Sequence, residues 1–580
     1  MLEPLPRIRV YRPMLTAALI PLLLFAQEKA PEKAPEKATI SGTVVNYATG
    51  EPLDKVEIDA ESSAGIASSV SDARGRFVLA GLEPGQYRLK GKRNRFLDTS
   101  YGSRRAEGNG TPLVVAAGEN IKDLTFRLIP FGVIAGTVRD SDGEPLARVT
   151  VTALRVRYEE GKRRISVVEN AFTDENGQYR ITGLAPGKYY VRAEPTPKAP
   201  GGGFRITMAG DSGFGFFQVL GMSSPRGPRP QSLMTTLFPG VQDSPAARTV
   251  DLDAGGRVNS IDIALPRTST VRVAGRISGR PGTAGGAIGL SSGQRGNDLL
   301  NFELSTSSDE KGDFEFMGVP PGSYVLTASF DSVQAEALVV EGRVTMQSGG
   351  QHLTGRLPVH VGSSPVEGLR IVVNSGAEIA GRVIKPPAKP PADGQEPQAG
   401  GQWNIQYVED SGDPITSPFE GTEFQSTLPP GHYLPYVMGV PPGVYARSMT
   451  ADGRDVLAEG LTIAGPGKVN LEITLAADSG KIGGTVADKE DKPAAGAIVV
   501  LVPEARLRAR SNRFQQVETD QYGHFELADI PPGEYKVFAW DDIEPGIWHD
   551  PDFLKTIEAK GERVTLGGNG QETVKVRLIQ

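Results

Sequence analysis

The chain of 580 residues contains no cysteine and only five histidines. The absence of cysteine excludes disulfides, thiolate metal sites, cysteine nucleophiles and a lipid anchor on a cleavage-site cysteine. None of the histidines begins an H-E-x-x-H or H-x-x-E pattern, so nothing in the sequence supports a zinc-peptidase centre. We therefore expect neither a metal site nor a cofactor.

The chain also lacks an excess of positive charge. Its formal net charge is −7, whereas a general nucleic-acid binder is usually basic because it must neutralise phosphates. Two basic stretches occur, at 155–164 and 506–513, and their arginines recur at a spacing of two. This spacing suits one solvated face of a strand. We expect no nucleic-acid partner.

Long apolar runs are missing except near the N-terminus. There, Arg7, Arg9 and Arg12 precede an apolar core of 13 residues at 14–26. A membrane-spanning helix needs about 20 residues, so residues 1–26 are predicted to be a signal peptide, with an uncleaved anchor as the alternative. Residues 27–38, a proline-punctuated EKAP repeat, predict an extended linker. The expected location is secreted, periplasmic or cell-surface, with membrane contact only through an uncleaved signal segment.

Glycine (71) and proline (45) are abundant, and short strands separated by turns are the expected structure. An apolar-x-Gly-x-apolar segment occurs five times, centred on Gly42, Gly136, Gly275, Gly381 and Gly484. Its period of two predicts a strand with the glycine on the buried face, where another backbone or a ring can approach closely. An alternating apolar strand closes each of the five units.

Two turn motifs lie between these strands. An Asp-x-x-Gly-x-aromatic motif occurs with Asp72, Asp174, Asp309 and Asp520. We expect the carboxylate to accept hydrogen bonds from backbone N–H groups of the turn and the glycine to take a positive φ. A Pro-Gly-x-Tyr motif follows in all five units and predicts a type II turn.

The fourth unit is degenerate. Pro418 replaces the aspartate, and Phe424 is shifted by one position relative to the aromatic residue of the other units. Because side chains alternate along a strand, this shift would move the ring to the other face unless a bulge compensates.

These patterns predict an all-β protein of five tandem antiparallel prealbumin-like or Ig-like β-sandwich modules. The predicted boundaries are 39–130, 131–267 with a Gly/Pro/Phe-rich insertion at 195–235, 270–376, 377–477 (the degenerate unit) and 479–580. The linkers between modules are short, which favours a semi-rigid rod over loosely tethered beads. The sequence leaves open whether the modules fold back on one another.

The motif series resembles a known family. I-x-G-T-V, G-E-P-L (50–53 and 143–146), D-x-x-G-x-F and G-L-x-P-G-x-Y, taken in order, look like the carboxypeptidase regulatory-like domain of multi-repeat secreted bacterial proteins. The series is also similar to the B-type repeats of collagen-binding surface adhesins. The resemblance implies a transthyretin-like sandwich without peptidase activity, and its likeness to starch-binding-like folds implies carbohydrate binding as an alternative role.

Strings that mimic catalytic or metal motifs lack the necessary context. Residues 289–293 match G-x-S-x-G and 210–213 match G-D-S-G, but their glycine-rich flanks predict loops in both places, without the helix or histidine that such sites require. Residues 140–144 resemble part of a calcium loop and are better explained as a hairpin turn. No catalytic residue is predicted, and we expect a protein that is not an enzyme.

One local cluster is the best candidate for a ligand site. Residues 540–553 join two of the three tryptophans to five acidic residues. Aromatic faces beside carboxylates can stack on a sugar and bind its hydroxyls, so the candidate ligand-binding residues are Trp540, Asp541, Trp548, His549 and Asp550. The alternative is a structured loop whose tryptophans cover the end of the last sandwich. The predicted function is a non-catalytic exported scaffold or binding protein, whose partner is a polysaccharide or a surface or matrix protein.

Overall fold

The structure is a computed structural model. It describes residues 36–105, 108–159, 162–195, 232–242, 244–279, 286–292, 299–300, 302–331, 335–340, 343–348, 352–387, 403–409, 414–419 and 421–579. Most of the insertion predicted at 195–235 lies outside the described residues, as do the predicted signal peptide and most of the predicted linker. In the part of the chain that is described, no helix is both long enough and apolar enough to cross a membrane.

Residues 38–128 form two packed sheets, here called module 1. The strands are β1 Ala38–Asn46, β2 Glu57–Ser62, β3 Gly65–Val70, β4 Arg76–Leu82, β5 Gly85–Lys92, β6 Thr99–Ser100, β7 Leu113–Val115 and β8 Asn120–Leu128. One sheet has the order β4-β1-β8, and the other has the order β3-β2-β5-β6 with β7 also paired to β5. Their inner faces bury residues such as Ile40, Phe77, Leu89 and Phe126.

Residues 132–268 repeat this arrangement as module 2. The strands are β9 Gly132–Asp140, β10 Thr150–Glu159, β11 Lys162–Phe172, β12 Gln178–Leu184, β13 Gly187–Glu194, β14 Ser232–Leu233, β15 Thr236–Leu237, β16 Val250–Leu252, β17 Arg257–Val258, β18 Ile263–Leu265 and β19 Arg267–Thr268, with a 3-10 turn at Ser244–Ala246. The larger sheet has the order β11-β10-β13-β15, and the smaller has the order β12-β9-β17.

Residues 271–372 form module 3. The strands are β20 Val271–Ser278, β21 Ala287–Ser292, β22 Glu303–Ser307, β23 Asp313–Val319, β24 Gly322–Asp331, β25 Ala335–Val340, β26 Arg343–Ser348, β27 His352–Val361 and β28 Val366–Val372. The two sheets have the orders β23-β20-β28 and β22-β21-β24-β27, and β25 pairs with β26 as a separate ribbon.

Residues 377–476 form module 4. The strands are β29 Ala377–Ile384, β30 Trp403–Glu409, β31 Ile415–Phe419, β32 Glu423–Leu428, β33 Gly431–Met438, β34 Tyr445–Ala451, β35 Arg454–Asp455, β36 Leu461–Ile463 and β37 Gly467–Ala476. Phe424 is buried and still lies opposite Gly381, as Phe77 lies opposite Gly42. The turn at Gly421 holds one residue more than its counterparts, and this compensates for the shift seen in the sequence.

Residues 480–579 form module 5. The strands are β38 Gly480–Ala487, β39 Ile498–Pro503, β40 Gln515–Glu518, β41 His524–Ile530, β42 Gly533–Trp540, β43 Glu562–Leu566 and β44 Gln571–Ile579. The helix α1 spans Pro551–Ile557, and 3-10 turns occur at Ala505–Leu507, Ser511–Arg513, Ile547–His549 and Glu558–Lys560. Here β42 also pairs with the end of β44, so both layers join in one sheet.

The all-β sandwich architecture is confirmed, with one difference in strand direction. The opening and closing strands of each module pair in parallel, as β1 and β8 do, whereas the neighbouring pairs are antiparallel. The chain passes through the second sheet before it returns, and the closing strand therefore runs in the same direction as the opening one. The five largest hydrophobic clusters of the described residues each draw on one contiguous stretch, which supports the division into five modules; the boundaries stay a proposal.

The repeated turns explain the spacing of the motifs. Oδ1 of Asp72 accepts hydrogen bonds from the N–H groups of Arg74 and Arg76, and the corresponding aspartates do the same. A buried Ser or Thr, which the motif did not predict, lies just before each of these aspartates. The hydroxyl of Ser71, for example, accepts from the N–H of Val56 and donates to the carbonyl of Leu53, which ties two loops together.

The prediction of a type II turn at Pro-Gly is wrong. The glycines of this motif begin strands, and none has the φ near +80° that the turn requires; that φ occurs four residues earlier, at Gly81, Gly183 and Gly318. The motif tyrosine instead fixes the preceding loop, because its hydroxyl donates to the carbonyl four residues before it in all five modules.

Candidate functional site

The tryptophans of the predicted ligand loop lie in the interior of module 5. Trp540 and Trp548 are each only 5% exposed, and they pack with Val500, Phe538 and Leu554 in a second hydrophobic cluster of this module. Trp540 stacks on Phe538 with 5.6 Å between ring centroids. The structure thus agrees with the alternative in which the tryptophans cover the end of the sandwich. The two rings offer no exposed face on which a sugar could stack.

Asp550 has a local role at the start of α1. Its carboxylate accepts hydrogen bonds from the N–H groups of Asp552 and Phe553, at 2.8 and 3.2 Å, and Pro551 occupies the first helical position. The same carboxylate accepts a 2.8 Å hydrogen bond from the hydroxyl of Tyr158 in module 2. Burial alone would raise the pKa of Asp550, but these hydrogen bonds hold it below its ordinary value. The residue therefore stays ionised while it contacts a distant module.

Tyr158 and module 5 fit closely around a glycine. Gly546 has a φ of 80°, and a Cβ atom there would lie 2.6 Å from the Cβ of Tyr158. Only glycine combines that backbone conformation with this close approach. Burial, followed by the carboxylate of Asp550, raises the pKa of Tyr158 to about 12, so the phenol remains a hydrogen-bond donor at neutral pH.

The acidic residues that follow Trp540 contact module 1. Asp541 pairs with Arg104, and Oδ1 of Asp542 lies 2.6 Å from Nε of Arg105. These side chains are partly exposed. The predicted carboxylates are thus brought together by the loop, but they bind arginines of this same chain.

Two further residues of module 5 contact module 1. The side-chain amide of Gln521 accepts from the N–H of Val114 at 2.9 Å and donates to its carbonyl at 2.7 Å. The buried carboxylate of Glu518 accepts from the amide of Asn109 at 3.2 Å and lies 3.7 Å from Arg88. We call these contacts of module 5 with modules 1 and 2, including those of Asp541, Asp542 and Asp550, the clasp. The clasp folds the modules back on one another, which was one of the two arrangements that the sequence left open.

His549 is the least satisfied polar residue of the predicted site. Its ring packs 4.2 Å from the ring of Phe514, measured between centroids, and in the described chain its buried Nδ1 has no hydrogen-bond partner. Burial lowers the pKa of His549 to about 4. The imidazole is therefore neutral at physiological pH, and it faces packed rings rather than a cleft.

The basic stretch at 506–513 is the main feature that the sequence analysis misread. Arg510, only 1% exposed, donates to the carbonyl oxygens of Pro435 at 2.5 Å and Val456 at 2.6 Å, and also to that of Leu457. Arg513, also buried, donates to the carbonyl of Ala446.

Desolvation lowers the pKa of Arg510 to about 10, so the guanidinium remains charged at neutral pH. The segment forms 3-10 turns that insert into module 4, not the solvated strand that the arginine spacing suggested. The arginine spacing did not predict this insertion, because alternate arginines suit either a solvated strand or a buried contact.

Among the residues that the structure describes, no group of three or more histidines and acidic residues is arranged to hold a metal ion. A cavity of about 780 Å³ lies elsewhere, over β29, β32 and β37, and is lined by exposed polar residues such as Arg382 and Gln425.

The fold and site thus define a modular all-β protein with non-local contacts between modules. Residues 39–128 and 133–208 match the model of the carboxypeptidase regulatory-like domain, which confirms the resemblance over modules 1 and 2. No curated protein matches the chain.

Several solved structures of Gram-positive proteins are similar to the chain at low identity. The streptococcal ancillary pilin is 13% identical (TM-score 0.20), and the match covers 58% of this chain and 99% of the pilin. The major pilin subunit BcpA of Bacillus cereus is 11% identical (TM-score 0.14), covering 59% of this chain and all of the subunit. The Bacillus anthracis TIE protein is 12% identical (TM-score 0.16), and the chain spans only 50% of its length. Likenesses this remote carry no information on binding or assembly.

Proposed function

We propose that the protein is a non-catalytic, exported scaffold or binding protein of the cell envelope or the extracellular space. The main observation in support is that the reactive side chains of module 5 contact other residues of the same chain. Asp541, Asp542 and Asp550 bind groups of modules 1 and 2, and the rings of Trp540 and Trp548 fill a core. Side chains engaged in this way hold modules together and are not available for acid–base chemistry on a substrate.

Export is part of this proposal and rests on residues 1–26, whose charge and apolar core are typical of a signal peptide. The test is expression of the full chain with a C-terminal tag in a bacterial host, followed by cell fractionation and intact mass measurement. We expect tagged protein outside the cytoplasm with a new N-terminus near Gln27. Tagged protein that stays in the cytoplasm with residues 1–26 attached would contradict the proposal.

Carbohydrate binding is the alternative function. The loop at 540–552 supports it less than the sequence suggested, because both rings are buried. The insertion at 195–235 is then the remaining candidate, although residues 196–231 lie outside the described residues.

Glycan and matrix-protein arrays probed with the full chain and with a variant lacking residues 196–231 separate the two functions. Saccharide binding that is lost in the deletion variant would establish the alternative. Binding to a matrix protein without saccharide binding would support the scaffold or adhesion role.

A further inference from the structure

Module 5 has two contact surfaces of very different character. Towards module 4 it inserts Arg510 and Arg513, whose buried guanidinium groups are bound by backbone carbonyls and lie 5.3 and 5.4 Å from the ring centroids of Tyr436 and Tyr445. Separation of modules 4 and 5 would break four hydrogen bonds of the two arginines, and hydrogen bonds to charged groups contribute about 1.5–3 kcal/mol each. Modules 4 and 5 therefore form one rigid arm.

The clasp includes ion pairs that are more exposed to solvent than these buried arginines. Two of its ion pairs, Arg104 with Asp541 and Arg105 with Asp542, join side chains that are 29–53% exposed, whereas Glu518 beside Arg88 is buried. Ion pairs of this kind contribute little individually and are screened by salt. The two clasp faces are also complementary in charge, because module 1 presents Arg88, Arg104 and Arg105 where module 5 presents Glu518, Asp541 and Asp542.

Modules 1, 2 and 3 are joined by stronger contacts. The linker between modules 1 and 2 is bound by both of them, because the N–H of Leu97 donates to the carbonyl of Ile129 and the N–H of Gly255 donates to the carbonyl of Pro130, each at 2.9 Å. Between modules 2 and 3, Leu154, Leu237 and Leu299 share a buried apolar cluster. These contacts make the first three modules a second arm.

The connection between the arms is less extensive. Arg356 of module 3 donates to both carboxylate oxygens of Glu409 in module 4, at 2.9 and 3.0 Å. None of the hydrophobic clusters found among the described residues includes side chains from both modules. Val373 and Asn374 are hydrogen-bonded to Ser278 and Thr354 of module 3, so the place where the arms can pivot is the short segment at 375–376.

We propose that the chain is a two-armed clamp that the clasp holds shut, and that raised ionic strength opens it without unfolding any module. The arm of modules 4 and 5 swings away from modules 1 and 2 as a unit about residues 375–376. Opening uncovers a basic face on module 1 and an acidic face on module 5. The proposal concerns the shape of the molecule and holds whether or not the chain is exported.

The absence of cysteine allows a direct test with an engineered disulfide. A Cβ atom built on Gly496 lies 3.6 Å from the Cβ of Thr111, a separation suited to a disulfide between modules 5 and 1, and the φ of 69° at residue 496 costs a cysteine there about 1–2 kcal/mol. In the full chain with Thr111→Cys and Gly496→Cys, we expect rapid cross-linking at about 0.01 M salt, where the Debye length is ~30 Å. At about 1 M salt the initial rate of cross-linking should fall by about tenfold or more, because several weak ionic contacts are lost together.

Small-angle scattering of the full chain supplies the second measurement. We expect the radius of gyration to rise with salt in the unmodified chain and to stay small in the cross-linked one. Arg104→Glu with Arg105→Glu should be expanded even at low salt, and adding Asp541→Arg with Asp542→Arg should restore the compact form. Arg74→Glu with Arg180→Glu, which alters two exposed arginines outside the clasp, is the matched control and should behave like the unmodified chain.

Three results would overturn the proposal. The first is a radius and a cross-linking rate that respond neither to salt nor to charge reversal at Arg104 and Arg105. The second is expansion with a doubled mass in light scattering, because the clasp would then form between two copies. The third is loss of hydrogen-exchange protection at 504–514 on opening, because modules 4 and 5 would then separate. Unchanged circular dichroism and melting temperature show that a variant is folded.

Discussion

The hydroxyl of Tyr158 donates a 2.8 Å hydrogen bond to Oδ2 of Asp550, which lies 392 positions away in the chain. Because Asp550 also caps α1, one carboxylate both starts a helix of module 5 and binds module 2. The two roles are separable. Removal of the phenol leaves the cap intact and weakens only the contact between modules.

Tyr158→Phe tests this separation. A neutral-to-charged hydrogen bond contributes about 1–3 kcal/mol, so the variant should open at lower salt than the unmodified chain while α1 keeps its hydrogen-exchange protection. The measurement is the salt concentration at the midpoint of expansion in small-angle scattering. Tyr522→Phe, at an exposed tyrosine, is the control and should leave the midpoint unchanged. An equal shift in both variants would mean that the Tyr158 hydroxyl does not stabilise the clasp.

The repeated architecture was predictable because its signals are local. Alternating apolar residues, turn aspartates and recurring glycines act within a few positions of one another, and the structure places Asp72 and Gly42 in the roles that the pattern indicated. The direction of the closing strand and the real position of the positive-φ glycine were not predictable in this way. Both depend on how the chain crosses between sheets.

The candidate site was less predictable, because the same residues suit two structures. Trp540 and Trp548 beside acids can form an exposed sugar platform or a core with a capped helix, and composition does not distinguish them. The burial of Arg510 could not be predicted, because its partners are backbone carbonyls of another module. Every residue has a backbone carbonyl, so such partners leave no pattern in the sequence. Contacts between modules depend on the shapes of two surfaces, and a local sequence pattern does not predict the shape of either surface.

Neighbouring glycines in β38 provide a matched test of the close-approach prediction. A Cβ on Gly484 would collide with the carbonyl oxygen of Val574 and crowd the ring of Phe525, whereas a Cβ on Gly483 would meet only one atom, at 3.6 Å. We expect Gly484→Ala to destabilise module 5 by about 2–3 kcal/mol through overpacking and Gly483→Ala to change its stability by less than about 1 kcal/mol.

Denaturant unfolding followed by tryptophan fluorescence is a suitable measurement for this pair. Two of the three tryptophans, Trp540 and Trp548, lie in module 5, so the signal reports mainly on that module. Equal unfolding midpoints for the two alanine variants would show that the backbone of β44 does not constrain residue 484.

Arg510 and Arg506 provide a second matched pair, four residues apart. Arg510→Met removes the donor for three carbonyls and should lower the stability of the joined modules 4 and 5 by about 3–5 kcal/mol, because each buried carbonyl left without a donor costs about 1–3 kcal/mol. Arg506 is exposed and paired with Glu504, so Arg506→Met should cost less than about 1 kcal/mol. Thermal unfolding of the full chain by calorimetry distinguishes them. Similar melting curves for both variants would contradict a structural role for Arg510.

His549 predicts an acid sensitivity of module 5. Its pKa is lowered to about 4 in the folded chain by burial, against about 6.5 when unfolded, so the unfolded state takes up a proton first as the pH falls. Stability contributed by the neutral imidazole is complete above pH 6.5 and is lost progressively down to pH 4, by up to about 3 kcal/mol. In His549→Gln this loss should disappear, because glutamine does not titrate.

The measurement is the unfolding free energy of module 5, followed by tryptophan fluorescence, in the unmodified chain and the variant between pH 7 and pH 4. Other carboxylates titrate in the same range in both proteins, and the difference between the two curves therefore isolates the histidine. Parallel curves would mean that His549 takes up its proton as easily in the folded chain as in the unfolded one.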